Sequence, residues 1–145
     1  MHPELKLKIN LLIEYLDDVI PYTKISTEEL MSNKEKLAAM ERWYLLMVDE
    51  AIDINSALMY QIGNKIAESY KSTFYELVPL GIIDQSFADK IALSVKARNE
   101  LTHNYEKKQK SEIVSDMKKF VELYKEYAEI LSDKFLKNEY VMPVK

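Results

Sequence analysis

The sequence predicts an all-α fold: an up-down antiparallel helical bundle with one or two extra short helices. Three observations carry this expectation. Only two glycines and four prolines punctuate 145 residues, so the chain has few places at which a helix must break. Apolar residues recur at three and four positions along several long stretches, the period of one helical face. No stretch shows the alternation of apolar and polar residues that marks a half-buried strand. Four long helices joined by short links pack as antiparallel neighbours.

The elements follow in order. Pro3 suits a helix start, where its missing N–H costs nothing. Leu5, Ile9, Leu12, Leu16 and Val19 then lie on one face, with Ile13 and Ile20 beside them, and Pro21 closes this first helix. Ser26 with Glu29, and Ser32 with Glu35, have capping-box spacing. The second box opens the longest pattern in the chain: Leu37, Met40, Tyr44, Met47, Ala51, Ile54, Leu58 and Ile62. Gly63 is its expected C-terminal stop. Residues 64–83 read as a polar loop and a short helix, with Pro79 and Gly81 as punctuation. Asp84 caps a helix expected to run to about Tyr105. The Lys107-Lys108-Gln109-Lys110 run is a polar break, after which Ser111 caps the last helix. That helix carries Ile113, Met117, Phe120, Tyr124, Tyr127, Leu131 and Phe135 as its stripe. Residues 1–138 form a single domain and 139–145 a C-terminal tail.

Composition narrows the class. An apolar fraction of 48% and a charged fraction of 30% fit a soluble globular chain able to bury a core without staples. The absence of cysteine excludes disulfides and Cys-based zinc sites. A net charge of -4 gives no global basic footprint for nucleic acid. No segment approaches the ~20 apolar residues of a membrane span. The N-terminus lacks the order of a signal peptide, so a cytoplasmic location is expected.

One stretch stands apart. Arg98 to Tyr105 reads Arg-Asn-Glu-Leu-Thr-His-Asn-Tyr, in a chain with only two arginines, Arg42 and Arg98, against 18 lysines. His103 is the single histidine besides His2. Arginine here indicates a need for planar, permanently charged, multi-donor chemistry. On a helix turning about 100° per residue, with Arg98 at the origin, Tyr105 falls at about −20°, Asn99 at about 100° and His103 at about 140°. These four make one polar sector. Leu93, Ala97 and Leu101 stack on the opposite side as the expected core stripe. Ile91, Val95 and Ala92 fall in the polar sector one to two turns earlier, and this apolar strip suits a packed second surface, either another helix of this chain or a second subunit, with a homodimer the favoured reading.

The chemistry of these residue types suits metal-independent RNA cleavage. In that reading His103 would take the proton from a 2′-hydroxyl, Arg98 would stabilise the charged phosphorus centre, and Asn99 would orient a phosphate or the imidazole. A second His from a partner subunit would protonate the leaving oxygen. The plainer alternative has Arg98 paired with a carboxylate, His103 a satisfied helix-end histidine and Tyr105 a buried aromatic. Lys96, Lys107, Lys108 and Lys110 make a local basic patch that suits an RNA backbone, or else a solvated charge run. Glu100 and His103 have the Glu-x-x-His spacing of di-iron bundles, but such sites need two pairs and the only other histidine is His2, so neither metal nor cofactor is expected.

With these residues in place, Arg98-Asn99-x-x-x-His103-x-Tyr105 on the penultimate long helix of a small all-α chain resembles the HEPN superfamily, specifically its HepT-like toxins. The stretch from Glu41-Arg42 through Glu50-Ala51-Ile52-Asp53-Ile54 resembles the family's second conserved block, and Leu80-Gly81-Ile82-Ile83 its turn. The resemblance covers most of residues 5–130. Thr102 and Asn104 depart from it, where relatives often show Val and Glu. The resemblance implies a toxin of a toxin–antitoxin pair, an endoribonuclease whose two motifs form one composite cleft in a homodimer. Arg98 and His103 are then catalytic and Asn99 supporting. It also implies an MntA-type nucleotidyltransferase antitoxin that transfers AMP onto Tyr105, and an RNA substrate, with tRNA and mRNA both open. From a different class, a non-catalytic helical module binding a partner or a nucleotide through the same polar sector is the alternative.

Overall fold

The computed structural model describes residues 3–69, 73–101 and 107–137. Among them the secondary structure is entirely helical. In chain order the helices are α1 (Pro3–Thr23), α2 (Thr27–Ser32), α3 (Lys34–Gly63), α4 (Thr73–Glu76), α5 (Gln85–Ile91), α6 (Leu93–Glu100) and α7 (Lys107–Ser132), the last continued by a π-helical turn, Asp133–Lys137. Helix α3 is the spine and packs against α1, α2, α4 and α6, while α7 packs against α1, α2, α5 and α6. The core lies between α1, α3 and α7, and the stripes read from sequence point into it. Leu5, Ile9, Leu12, Leu16 and Val19 are buried from α1, and Met40, Tyr44, Met47, Ala51, Ile54 and Leu58 from α3. Ile113, Met117, Tyr124, Tyr127, Leu131 and Phe135 are buried from α7 and its continuation. No helix is long and apolar enough to cross a membrane, among the described residues.

The helix ends show where local chemistry overrides a spacing rule. Ser26 caps α2 as expected, its hydroxyl accepting from the Glu29 N–H at 3.1 Å. At the start of α3 the cap is Asn33, not Ser32: Asn33 Oδ1 accepts from the Lys36 N–H at 3.1 Å. Ser32 instead turns back and donates to the Glu29 carbonyl at 2.9 Å. Pro21 does not end α1, which runs two residues further. Helix α3 does end at Gly63, but Asn64 takes the left-handed conformation (φ 51°). Gly63 matters for close approach, since a Cβ there would meet Leu80 Cδ2 at 3.1 Å. Ser111 lies a full turn inside α7, because nothing in Lys107–Lys110 opposes a helix.

The largest departure concerns the motif helix. A single helix from Asp84 to Tyr105 was the expectation; the described chain breaks at Ala92 into α5 and α6, and α6 ends at Glu100. Ser94 explains the break. Its hydroxyl donates to the Ile91 carbonyl at 2.6 Å, and the Val95 N–H, which would have served that carbonyl in a regular helix, bonds Ala92 O at 3.2 Å instead. The break rotates the faces. Ile91, Ser94, Val95 and Ala97 are buried, and Leu93, expected in the core, is 57% exposed. Of the two surfaces the apolar strip suited, Ile91 and Val95 therefore meet the chain's own helices and not a second subunit.

Candidate active site

Arg98 and Asn99 occupy the last turn of α6, a helix of eight residues with no side-chain cap at its start. What fixes so short a helix is buried hydrogen bonding. Tyr44 Oη on α3 donates to the Ser94 carbonyl at 2.9 Å. Ser94 Oγ and Tyr124 Oη on α7 lie 2.7 Å apart. Ser94 spends its single proton on Ile91, so the Tyr124 hydroxyl donates. Burial drives the Tyr44, Tyr124 and Tyr127 phenols well above their ordinary range, so all three stay protonated and able to donate. A second buried chain runs from Tyr127 Oη to Asn55 Oδ1 and from Asn55 Nδ2 to Thr73 Oγ1 at 3.2 Å, tying α7, α3 and α4 together. Phe74 packs edge-on against Tyr127 and Tyr124, at centroid distances of 5.5 and 6.2 Å.

On this platform the Arg98 guanidinium meets a carboxylate that the sequence did not single out. Nε donates to Asp49 Oδ1 at 2.9 Å and Nη2 to Asp49 Oδ2 at 3.3 Å, while Nη1 donates to Asn99 Oδ1 at 3.2 Å. The Arg98 side chain is 30% exposed and that of Asp49 48%. Together with Ile52, Asp53, Val95 and Asn99 they line a cleft of about 160 Å³ between α3 and α6. Asp53 is tied outward to Lys8 of α1 at 3.8 Å. Glu50 sits beside this group, and burial raises its carboxyl pKa, with Asp53 adding to the rise and Lys8 opposing it. Its Oε2 is buried and meets no donor among the described residues.

The remaining sequence-derived positions divide. His103 and Tyr105 lie outside the described residues, as do the Lys107 and Lys108 side chains. Lys96 lies with Tyr75, Ala92 and Leu93 around a different depression, not around the Arg98 cleft. Lys110 is engaged by Glu41 at 3.1 Å. No three His, Asp or Glu side chains are gathered as metal ligands among the described residues. A larger cleft, about 590 Å³, lies around the C-terminal end of α3 and the loop after it, lined by Ser56, Tyr60 and Lys65 to Ser69. It holds neither arginine nor histidine, so volume is a poorer guide here than chemistry.

Solved structures share this fold. One is a chain from the structure of the tri-AMPylated Shewanella oneidensis HEPN toxin in complex with MNT antitoxin, with a TM-score of 0.78 at 16% identity over 92% of this chain and 99% of that one. Another comes from a mutant of the toxin–antitoxin pair MntA–HpeT, with a TM-score of 0.77 at 16% identity over 89% of this chain and 97% of that one. The chain belongs to the HepT-like family, whose model, described as ribonuclease HepT-like, matches residues 12–139. A tRNA nuclease HepT of Aphanizomenon flos-aquae (strain 2012/KM1/D3) is 29% identical over 99 residues, 68% of this chain and 67% of its own length.

Proposed function

We propose that this protein is the toxin of a toxin–antitoxin pair, a metal-independent endoribonuclease whose site is shared between two copies of the chain. The observation that carries the reading is Arg98. Asp49 and Asn99 take one N–H from each of its three nitrogens, and the two of five N–H groups that remain suit phosphate oxygens. Five residues on, His103 supplies a group that moves protons near neutral pH. In the step proposed, His103 removes the 2′-hydroxyl proton as the 2′-oxygen attacks phosphorus. Arg98 stabilises the charge on the non-bridging oxygens. The bond to the 5′-oxygen then breaks, that oxygen takes a proton from the second copy's histidine, and a 2′,3′-cyclic phosphate remains.

The partner copy is invoked for its histidine, which would protonate the leaving oxygen, since the single-chain cleft sets one arginine beside Asp49 and Asp53 and offers no general acid of its own among the described lining residues. We further propose control through Tyr105 by a nucleotidyltransferase of the MntA type. The tyrosine oxygen attacks the α-phosphorus of ATP, pyrophosphate leaves, and the AMP phosphate so added competes for Arg98 and blocks the cleft. Lys96, Lys107, Lys108 and Lys110 are proposed as weak contacts to the RNA backbone, with Lys110 first having to leave Glu41.

The test is cleavage of labelled bulk tRNA in EDTA. Wild type is expected to cut, and Arg98→Ala and His103→Ala to lose at least about 100-fold in rate. Cleavage and growth arrest that both persist in His103→Ala remove the nuclease site proposed on Arg98 and His103. A wild type that neither cuts RNA nor arrests growth leaves the non-catalytic binding module in its place. After co-expression with the nucleotidyltransferase, intact mass should rise by AMP units in wild type and not in Tyr105→Phe.

A further inference from the structure

We propose that Asp49 is the positioning residue for Arg98, and that α3 rather than the motif helix sets where the guanidinium stands. The inference rests on the ribonuclease reading and adds to it a residue from a distant part of the chain. Arg98 projects from the last turn of an eight-residue helix that has no side-chain cap at its N-terminus. An arginine side chain has many rotamers, so from such a base its head group samples many places unless something holds it. Asp49 is the opposite case. It lies on a 30-residue helix, between Val48, which is fully buried, and Ile52, which is nearly so. Core packing fixes its register, and its short side chain has little freedom of its own.

The mode of contact matters as much as its presence. Asp49 engages the Nε/Nη2 edge with both oxygens, a planar fork-to-fork pair that fixes orientation as well as position. Asn99 takes a hydrogen of Nη1. The contact therefore holds the head group while leaving N–H groups on both terminal nitrogens. A lysine at position 98 could not be held this way, since an ammonium has no edge to grip.

The pair has a cost with a definite sign. A carboxylate beside a phosphate-binding arginine repels the substrate, so Asp49 weakens binding while it improves the geometry of the charged phosphorus centre. Removing its charge should lower kcat and leave KM unchanged or lower. Simple damage to the fold would not produce that split.

Asp49→Asn, a nearly isosteric change, tests this on the full-length chain in two ways. With only Arg42 and Arg98 present, arginine Nε–H resonances are two in number and assignable by substitution. In wild type the Arg98 Nε–H should be protected from exchange, and in Asp49→Asn that protection should be lost with Arg42 unchanged. In cleavage of bulk tRNA, kcat should fall roughly 10- to 100-fold, the scale of a small misplacement of a reacting group, with KM no higher than in wild type. Asp49→Glu, which keeps the charge and the fork, should recover part of the lost kcat. The pair is half exposed, so Tm should shift by no more than a few degrees. Undiminished kcat in Asp49→Asn, with Arg98→Ala inactive, overturns the positioning role alone. Faster cleavage in Asp49→Asn makes the contact inhibitory and overturns it too. Full activity in both Asp49→Asn and Arg98→Ala removes Arg98 from the ribonuclease site and this inference with it, whereas a wild type that does not cut removes the ribonuclease reading itself. An unchanged Arg98 Nε–H signal shows that the pair does not hold the arginine in solution.

Discussion

Around Arg98 three carboxylates within one helical turn and a half, Asp49, Glu50 and Asp53, meet very different fates. Asp49 finds Arg98 and Asp53 finds Lys8, but Glu50 keeps one oxygen buried and without a donor among the described residues. Burial raises its pKa, which means the folded chain holds its proton more tightly than the unfolded chain does. Its favourable contribution is then complete below the unfolded-state value and is lost as pH rises through the raised folded value. Glu50→Gln should therefore raise Tm at neutral pH, by the equivalent of less than about 1 kcal/mol after solvent screening, with the gain vanishing in acid. Thermal melts of both proteins between acidic and neutral pH check this, and a gain that persists in acid would sink it. The same neighbourhood shows what a sequence makes visible. Arg98 and Asn99 stand out by scarcity and spacing, which are properties of a string. Asp49 is one of 24 acidic residues, and its value arises only when α3 is laid against α6, 49 positions away.

Helices α5 and α6 carry the lesson for elements. Periodicity is a statement about a regular helix, and one hydroxyl is enough to end regularity. The amphipathic stripes of α1, α3 and α7 were legible because each spans several turns, so an error in phase at one residue hardly moves the average. The motif stretch instead folds as two helices of seven and eight residues, about two turns each, so its two halves share no single phase. Taking the Ile91 carbonyl for the Ser94 hydroxyl reversed the assignment of Leu93 against Ile91 and Val95. Ser94→Ala is the informative change. It leaves the buried Tyr124 hydroxyl without its acceptor, at about 1–3 kcal/mol. It also returns the Ile91 carbonyl to the Val95 N–H, straightening α5 into α6 and turning Arg98 away from Asp49. Tyr124→Phe removes the same hydroxyl contact but leaves Ser94 bonded to Ile91, and should cost only about 0.5–1.5 kcal/mol. Urea unfolding separates the two costs. Loss of RNA cleavage beyond the loss of fold in Ser94→Ala, and not in Tyr124→Phe, is expected; equal effects on cleavage would show that the break does not set the site.

For the whole molecule, the proposed function raises the question of how an acidic chain would act on a polyanion. The net charge is -4, Lys110 is paired with Glu41, and Lys96 stands away from the Arg98 cleft. Long-range attraction for a polyanion is accordingly weak, and pairing two copies doubles the net negative charge, so the proposed composite site would rely on short-range contacts from Arg98 and His103 of each copy. Ile91 and Val95 do not supply that contact surface, since both are buried within one copy. The proposed dimer stands or falls on its own measurement. A site complete within one chain gives a rate per chain that does not change with concentration. A site built from two copies gives a rate per chain that follows the dimer fraction, so far below the dissociation constant each tenfold dilution should cut specific activity about tenfold. Light scattering at micromolar concentration should give twice the 17.0 kDa chain mass. The dilution at which that mass begins to fall should coincide with the dilution at which specific activity falls. A monomer mass together with undiminished specific activity would place the whole reaction within one copy. The leaving oxygen would then have to be protonated by a group other than a second His103.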